Sequence, residues 1–197
     1  MTVAEPALKQ TRRTYTEYLD MQARSEERLM FWDGEIFAMA GGTIQHGAIQ
    51  TNLVALLWTA LRGQPCRPFV GDQRLRALDS ERVVYADGAV VCGPPVPHSD
   101  DATTLTNPVV VFEVLSKSTE AFDRGDKFVY YRGFPSMRSV VFIAQRTRRA
   151  EVYHRDEHGL WRLRDLGPTD ELDLPEVGVR IPLSALYEGI DALDDEG

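Results

Sequence analysis

Seven residues, Val109-Val110-Val111-Phe112-Glu113-Val114-Leu115, constrain this chain more than any other segment. Three consecutive valines and a phenylalanine read as a strand. The lack of polar alternation places that strand inside a sheet covered on both faces. Glu113 interrupts the run. A carboxylate in such surroundings is expensive unless a basic partner, a proton or a metal ion neutralises it. The segment therefore demands a central strand with a charge built into it, and a neighbour to answer that charge.

Two further acids stand where strands should begin or end: Glu35 in Trp32-Asp33-Gly34-Glu35 and Asp87 in Tyr85-Ala86-Asp87-Gly88. Asp87 and Glu113 lie 26 residues apart on consecutive strands. If those strands are neighbours, both carboxylates meet at one edge of the sheet. Carboxylate oxygens with open positions suit Mg2+ or Mn2+. Zinc has no such support, because His46, His98, His154 and His158 are scattered. Lys127 follows Glu113 by fourteen residues, and Asp123 precedes Lys127 by four. That spacing allows an ordinary ion pair on a helix face. It also allows an ammonium that leans towards the carboxylates and stabilises charge growing on a phosphorane. A third reading makes the acids structural partners of Arg67, Arg74 or Arg82.

Thr14-Tyr15-Thr16-Glu17 fits a capping box and predicts a helix to about Arg28. Phe31 to Met39 reads as a hairpin turning at Asp33-Gly34. Gly41-Gly42 breaks it, and apolar residues at helical spacing from Ile44 to Arg62 predict a long helix ended by Gly63. Arg67–Ala77 and Val83–Cys92 read as strands, the second bent at Asp87-Gly88. Residues 93–107 read as a loop. After the central strand, Ser116 to Thr119 should cap a helix from about Glu120 to Tyr131. Met137–Ala144 reads as a buried strand, and Arg149–Arg155 with Leu160–Asp165 as a hairpin. Leu172–Pro182 reads as a short edge element, followed by a helical turn capped by Ser184. The sum is one mixed α/β (α+β) domain over residues 14–189, between a loose segment 1–13 and an acidic tail 190–197.

The 197 residues carry a net charge of -8, five of the negative charges lying between Glu188 and Glu196. Such a balance opposes tight nonspecific grip on phosphates. Basic residues nonetheless gather at Lys9, Arg12 and Arg13, between Arg62 and Arg82, and at Arg138, Arg146, Arg148 and Arg149, where local field matters more than the total. No stretch is apolar enough to span a membrane, and the first residues lack the apolar region of a secretion signal. Cys66 and Cys92 fit no metal or redox spacing and read as packing residues in a reducing cytoplasm.

The strings Phe31-Trp32-Asp33-Gly34-Glu35-Ile36 and Met39-Ala40-Gly41-Gly42-Thr43 with His46 resemble the opening of the Uma-two endonuclease family. Leu105 to Ser116 with Ser118-Thr119, and Asp123-Arg124-Gly125-Asp126-Lys127 with Tyr131, are similar to its central signature. The likeness runs from about Thr14 to Gly189. It implies the PD-(D/E)XK nuclease superfamily. The implied fold is a restriction-endonuclease-like core, a mixed central sheet flanked by helices, here with an added N-terminal hairpin and C-terminal strands. Carried onto this chain, the resemblance makes Asp87, Glu113 and Glu35 catalytic metal ligands for Mg2+ (or Mn2+), and Lys127 the active-site lysine. Leu115 stands where that lysine normally sits, two residues past the second acid, and Lys117 is a rival for the role. Ala86 replaces the usual proline, and Gln145 stands where relatives often have an acid. His46, at a helix start, is expected to contact substrate or simply to cap.

The resemblance implies hydrolysis of phosphodiester bonds in DNA without a covalent intermediate. It is compatible with a homodimer. The competing expectation is a non-catalytic nucleic-acid or protein interaction module on a nuclease-like scaffold.

Overall fold

The computed structural model describes residues 12–39 and 41–190. The expected loose segment 1–13 and acidic tail 190–197 therefore lie almost wholly outside the described residues. The chain opens with α1 (Tyr15–Arg24), where Thr14 and Glu17 form the reciprocal capping box. The hairpin β1 (Leu29–Trp32) and β2 (Glu35–Ala38) turns at Asp33 and Gly34, whose φ angles of 49° and 89° match the twist of paired strands. Helix α2 (Ile44–Ala60) follows, with Thr43 as its N-cap.

Two segments that read as single strands are each cut in two. Arg67–Ala77 becomes β3 (Cys66–Val70) and β4 (Arg74–Leu75), separated by a turn at Gly71. Val83–Cys92 becomes β5 (Arg82–Tyr85) and β6 (Gly88–Cys92), separated by Ala86 and Asp87. The cuts have one cause: the chain crosses between two sheets at both points. The stretch 93–107, expected to be a loop, holds β7 (Pro97–His98) and β8 (Asp101–Leu105). The central strand is β9 (Val110–Leu115). The helix after it is not uniform. It runs through α3 (Glu120–Phe122), a π-helical turn (Asp123–Lys127) and α4 (Phe128–Tyr131). Then come β10 (Ser139–Ala144), β11 (Ala150–Arg155) and β12 (Trp161–Leu166). The expected edge element is a full hairpin, β13 (Glu171–Leu174) and β14 (Val179–Pro182). It leads into α5 (Leu183–Leu186), which Ser184 enters rather than caps.

One sheet has the order β2-β1-β5-β4-β8-β7 and the other β12-β11-β10-β9-β6-β3. In the second, β9 runs parallel to β10 and antiparallel to β6, as a mixed sheet requires. The strand alternation of β9 sorts its side chains. Val110, Phe112 and Val114 pack with Ile49, Leu53 and Leu57 of α2. Val111 and Leu115 pack on the other side with Tyr130, Tyr131 and Phe134. Glu113 shares the parity of Val111 and Leu115, so it faces the helix that follows its own strand. Among the described residues, no helix is long and apolar enough to cross a membrane.

The cysteine expectation is corrected. Cys66 and Cys92 are register partners across β3 and β6, and they form a disulfide. Residues 26 apart in sequence gave no local sign of that pairing. Disulfides persist mainly in oxidising compartments. The argument for a reducing cytoplasm, which rested on free thiols, loses its support.

Candidate active site

The site forms where the chain crosses between the sheets. Asp87 sits in the two-residue link from β5 to β6, beside the C-terminal half of β9. The β6–β9 register pairs Gly88 with Phe112, so the ladder ends there and the next β9 amide needs another acceptor. Asp87 supplies it: Oδ2 accepts from the Val114 amide at 2.7 Å. Its backbone carbonyl accepts from Gln50 Nε2 at 2.8 Å, and its Oδ1 lies 2.9 Å from His46 Nε2. His46 is placed by the first turn of α2, where its amide donates to the Thr43 hydroxyl at 3.2 Å. Thr43 also accepts from Gln145 Nε2 at 2.7 Å. Gln145 thus ties the end of β10 to the helix that carries His46.

Glu113 is answered from the π-helical turn. Lys127 Nζ lies 2.6 Å from Glu113 Oε1 and 3.2 Å from Asp123 Oδ1. The Tyr131 hydroxyl donates to the same Glu113 oxygen. Residue exposures of 3 % for Glu113, 4 % for Asp123 and 5 % for Lys127 make this a buried group, where pairing is obligatory. The insertion of a π turn into a helix is frequent at functional sites. Here the Phe128 amide reaches back to the Asp123 carbonyl.

These contacts fix the electrostatics. Burial pushes the Glu113 carboxyl up to about 8; Lys127 opposes the shift, and Asp123 and Asp87 reinforce it. Burial pulls the Lys127 ammonium down, but Glu113 and Asp123 more than offset that and hold it above its ordinary value. The hydrogen bond to Asp87 raises His46 against the effect of burial, and the charges of Asp87, Glu113 and Asp123 add to it. Burial and Glu113 hold the Tyr131 hydroxyl far above its usual range.

The pH dependence of stability follows. The folded state keeps a proton on Glu113 that the unfolded chain releases near pH 4.5. Its contribution to stability is therefore lost as pH climbs from about 4.5 to about 8. His46, also raised, acts in the same direction above pH 6.5. Asp33 and Asp101, both lowered, lose their contributions only as pH falls into the acid range. Without divalent metal, stability is expected to fall between pH 5 and 8 by on the order of a few kcal/mol. Glu113→Gln should remove most of that slope. Denaturant melts across the range check it; a flat wild-type profile contradicts it.

Gly42 offers a second check. A Cβ there would stand 2.8 Å from His46 Cδ2. Gly42→Ala is expected to push the imidazole off Asp87 and let its pKa fall towards the ordinary 6.5. An NMR titration of His46 that is unchanged in the variant would refute this.

The structure brings together Asp87, Glu113, Lys127 and His46. Glu35 is elsewhere. It opens β2, the outer strand of the other sheet, opposite Trp32, with its side chain exposed. No hydrogen bond or ion pair joins it to the group among the described residues. Its expected place as third carboxylate is taken by Asp123. His46 engages Asp87. Lys117 is exposed on the turn after β9 and does not reach Glu113. The ion-pair alternative named the wrong bases, since Arg82 holds Asp33, Arg74 holds Asp101 and Arg67 lies over Trp58. Asp123 and Tyr131 were underread. With Lys127 they recur every four residues, a stripe visible in the sequence but indistinguishable there from an ordinary helix face.

Among the described residues, no three of His, Cys, Asp and Glu converge as a ready ligand group. The residues nonetheless fit a hard dication in kind. Mg2+ is commonly held by one or two carboxylates plus water and substrate phosphate. Asp87 and Glu113 supply two from adjoining elements. Three acids, Glu113, Asp123 and Asp87, act on the one ammonium of Lys127.

The site thus joins an acid beside a mixed sheet, an acid inside its central strand and a lysine from the following helix. The chain superposes on the crystal structure of a "putative nuclease belonging to DUF820" from Anabaena variabilis with a TM-score of 0.74, at 14% identity, covering 90% of this chain and 98% of that one. Residues 15–184 match the Uma2 family, described as "Putative restriction endonuclease", and the chain belongs to that family. It is 30% identical over 174 residues to an uncharacterized protein of Synechocystis sp., covering 88% of this chain and 90% of that protein. A second uncharacterized Synechocystis protein is 33% identical over 153 residues, covering 78% and 86%.

Proposed function

We propose that the chain is a metal-dependent endonuclease that hydrolyses phosphodiester bonds in DNA. One observation carries this reading: Asp87, 26 residues before Glu113, accepts from the amide next to it in β9 and its charge acts on the Glu113 carboxyl. Asp87 and Glu113 would hold Mg2+ or Mn2+. A dication bound there supplies charge neutralisation at the phosphate and a lowered pKa for water. Lys127, buried and charged, aims its ammonium at the carboxylates, where negative charge grows during attack on phosphorus. Asp123 keeps Lys127 in place and charged. His46, in hydrogen-bond contact with Asp87, orients that carboxylate and can hold a proton near neutral pH.

One feature favours the second reading, a non-catalytic interaction module. Both Asp87 oxygens and one Glu113 oxygen are already engaged by protein donors. The deciding experiment is nicking of supercoiled plasmid with Mg2+ and with Mn2+. Metal-dependent nicking that disappears in Asp87→Ala supports the enzyme. Intact plasmid under both metals, with no metal-induced rise in melting temperature, supports the module.

A further inference from the structure

Beyond the C-terminal ends of β9 and β10 lies a cleft of about 420 Å3. Leu115, two residues from Glu113, and Gln145, which braces the His46 helix, form part of its lining. Its two rims are basic. Lys117 and Arg124 come from the segment after β9, and Arg124 belongs to the same π-helical turn as Asp123 and Lys127. Arg146 and Arg149 come from the β10–β11 turn opposite. Two of the three acids in the lining, Glu120 and Glu151, are held by Arg124. That leaves Asp165 against Lys117, Arg146 and Arg149, none of which is held in an ion pair among the described residues. On a chain of net charge -8, this is a local reversal of sign beside the carboxylates.

We propose that this cleft seats one strand of nucleic acid next to the reacting phosphate, through Lys117, Arg146 and Arg149 on its backbone. The inference rests on the nuclease reading of the adjoining site and names the form of its substrate. The size decides for a single strand. The cleft has the volume of a small-molecule pocket, enough for a nucleotide or two. A duplex is too thick to be enclosed in such a space, so the volume favours a single strand. Exposed aromatic rings, the usual platforms for stacked bases, do not line it. Recognition is therefore by phosphate charge and indifferent to base sequence.

The test uses the full chain carrying Asp87→Asn, so that bound oligonucleotide is not cut. Binding of a labelled 12-nucleotide single strand and of the matching duplex is measured by fluorescence anisotropy over a salt series. The single strand is expected to bind at least tenfold more tightly than the duplex. Arg146→Ala and Arg149→Ala should each reduce the slope of log affinity against log salt by about 0.7, the value of one phosphate contact on a single strand. Both positions are exposed, and unchanged melting temperatures confirm that the variants fold. Duplex binding equal to or tighter than the single strand overturns the proposal. So does an unchanged slope in both arginine variants. Failure of the nuclease reading looks different: oligonucleotide bound with these slopes, yet both the single strand and the plasmid left uncut by the wild type under Mg2+ and Mn2+.

Discussion

Asp87→Asn is expected to lower metal-dependent nicking about a thousandfold while leaving the fold in place. The asparagine keeps an oxygen for the Val114 amide, so the strand junction that Asp87 closes at 2.7 Å survives. What disappears is one unit of negative charge beside Glu113. Loss of a charged ligand in a water-poor site costs several kcal/mol of Lewis-acid stabilisation. At 1.36 kcal/mol per factor of ten, about 4 kcal/mol gives the thousandfold. His46 loses its anionic partner as well, and its pKa should fall from its raised value. Two readouts are therefore expected from one substitution: turnover near background and a lower His46 titration by NMR, with a melting temperature within a few degrees of wild type. Turnover within threefold of wild type would remove Asp87 from the reaction.

Lys127→Met should be the most destabilising single change in the site, at about 3 kcal/mol. It leaves Glu113 and Asp123 buried without their shared cation, and breaking a buried pair from one side costs about 3–5 kcal/mol. Proton uptake by Glu113, already raised to about 8, returns part of that loss. The deficit should therefore shrink at pH 5 and grow at pH 8. Glu113→Gln is expected to be milder, because Asp123 still neutralises the lysine. The double variant Lys127→Met with Glu113→Gln should recover at least 1 kcal/mol over additivity, the sign of a direct contact. Denaturant melts of the four proteins complete the cycle. Additive effects would mean that the pair is not coupled.

The contrast between what could and could not be read from sequence has a physical basis. The capping box of Thr14 and Glu17, the turn at Asp33-Gly34 and the apolar run around Glu113 are local signals, set by residues within a few positions of one another. Each appears where expected. The breaks at Gly71 and at Ala86-Asp87 arise because adjacent segments join different sheets, which is decided by strands distant in the chain. β7 and β8 hide in a Pro-, Asp- and Thr-rich stretch; they pair with each other, and only the distant β4 ties β8 into the sheet. The disulfide is a register effect of the same kind.

In the site, Asp87 and Glu113 were legible because a carboxylate at a strand end or inside a valine run is costly and conspicuous. Glu35 looked equivalent by the same reasoning. Its hairpin, however, pairs with β5 in the other sheet and leaves the side chain in solvent. Asp123 was passed over for the opposite reason. An acid four residues from a lysine on a helix is ordinary, and only burial distinguishes this pair from a surface one.

The most direct test places an ion in the site. Crystals soaked in Mn2+ and measured for anomalous scattering should show a single strong peak bonded to carboxylate oxygens of both Asp87 and Glu113, with His46 or Lys127 moved aside. A peak that touches neither carboxylate, or no peak at saturating Mn2+ in protein that nicks plasmid, would contradict the assignment of these two residues as the metal ligands.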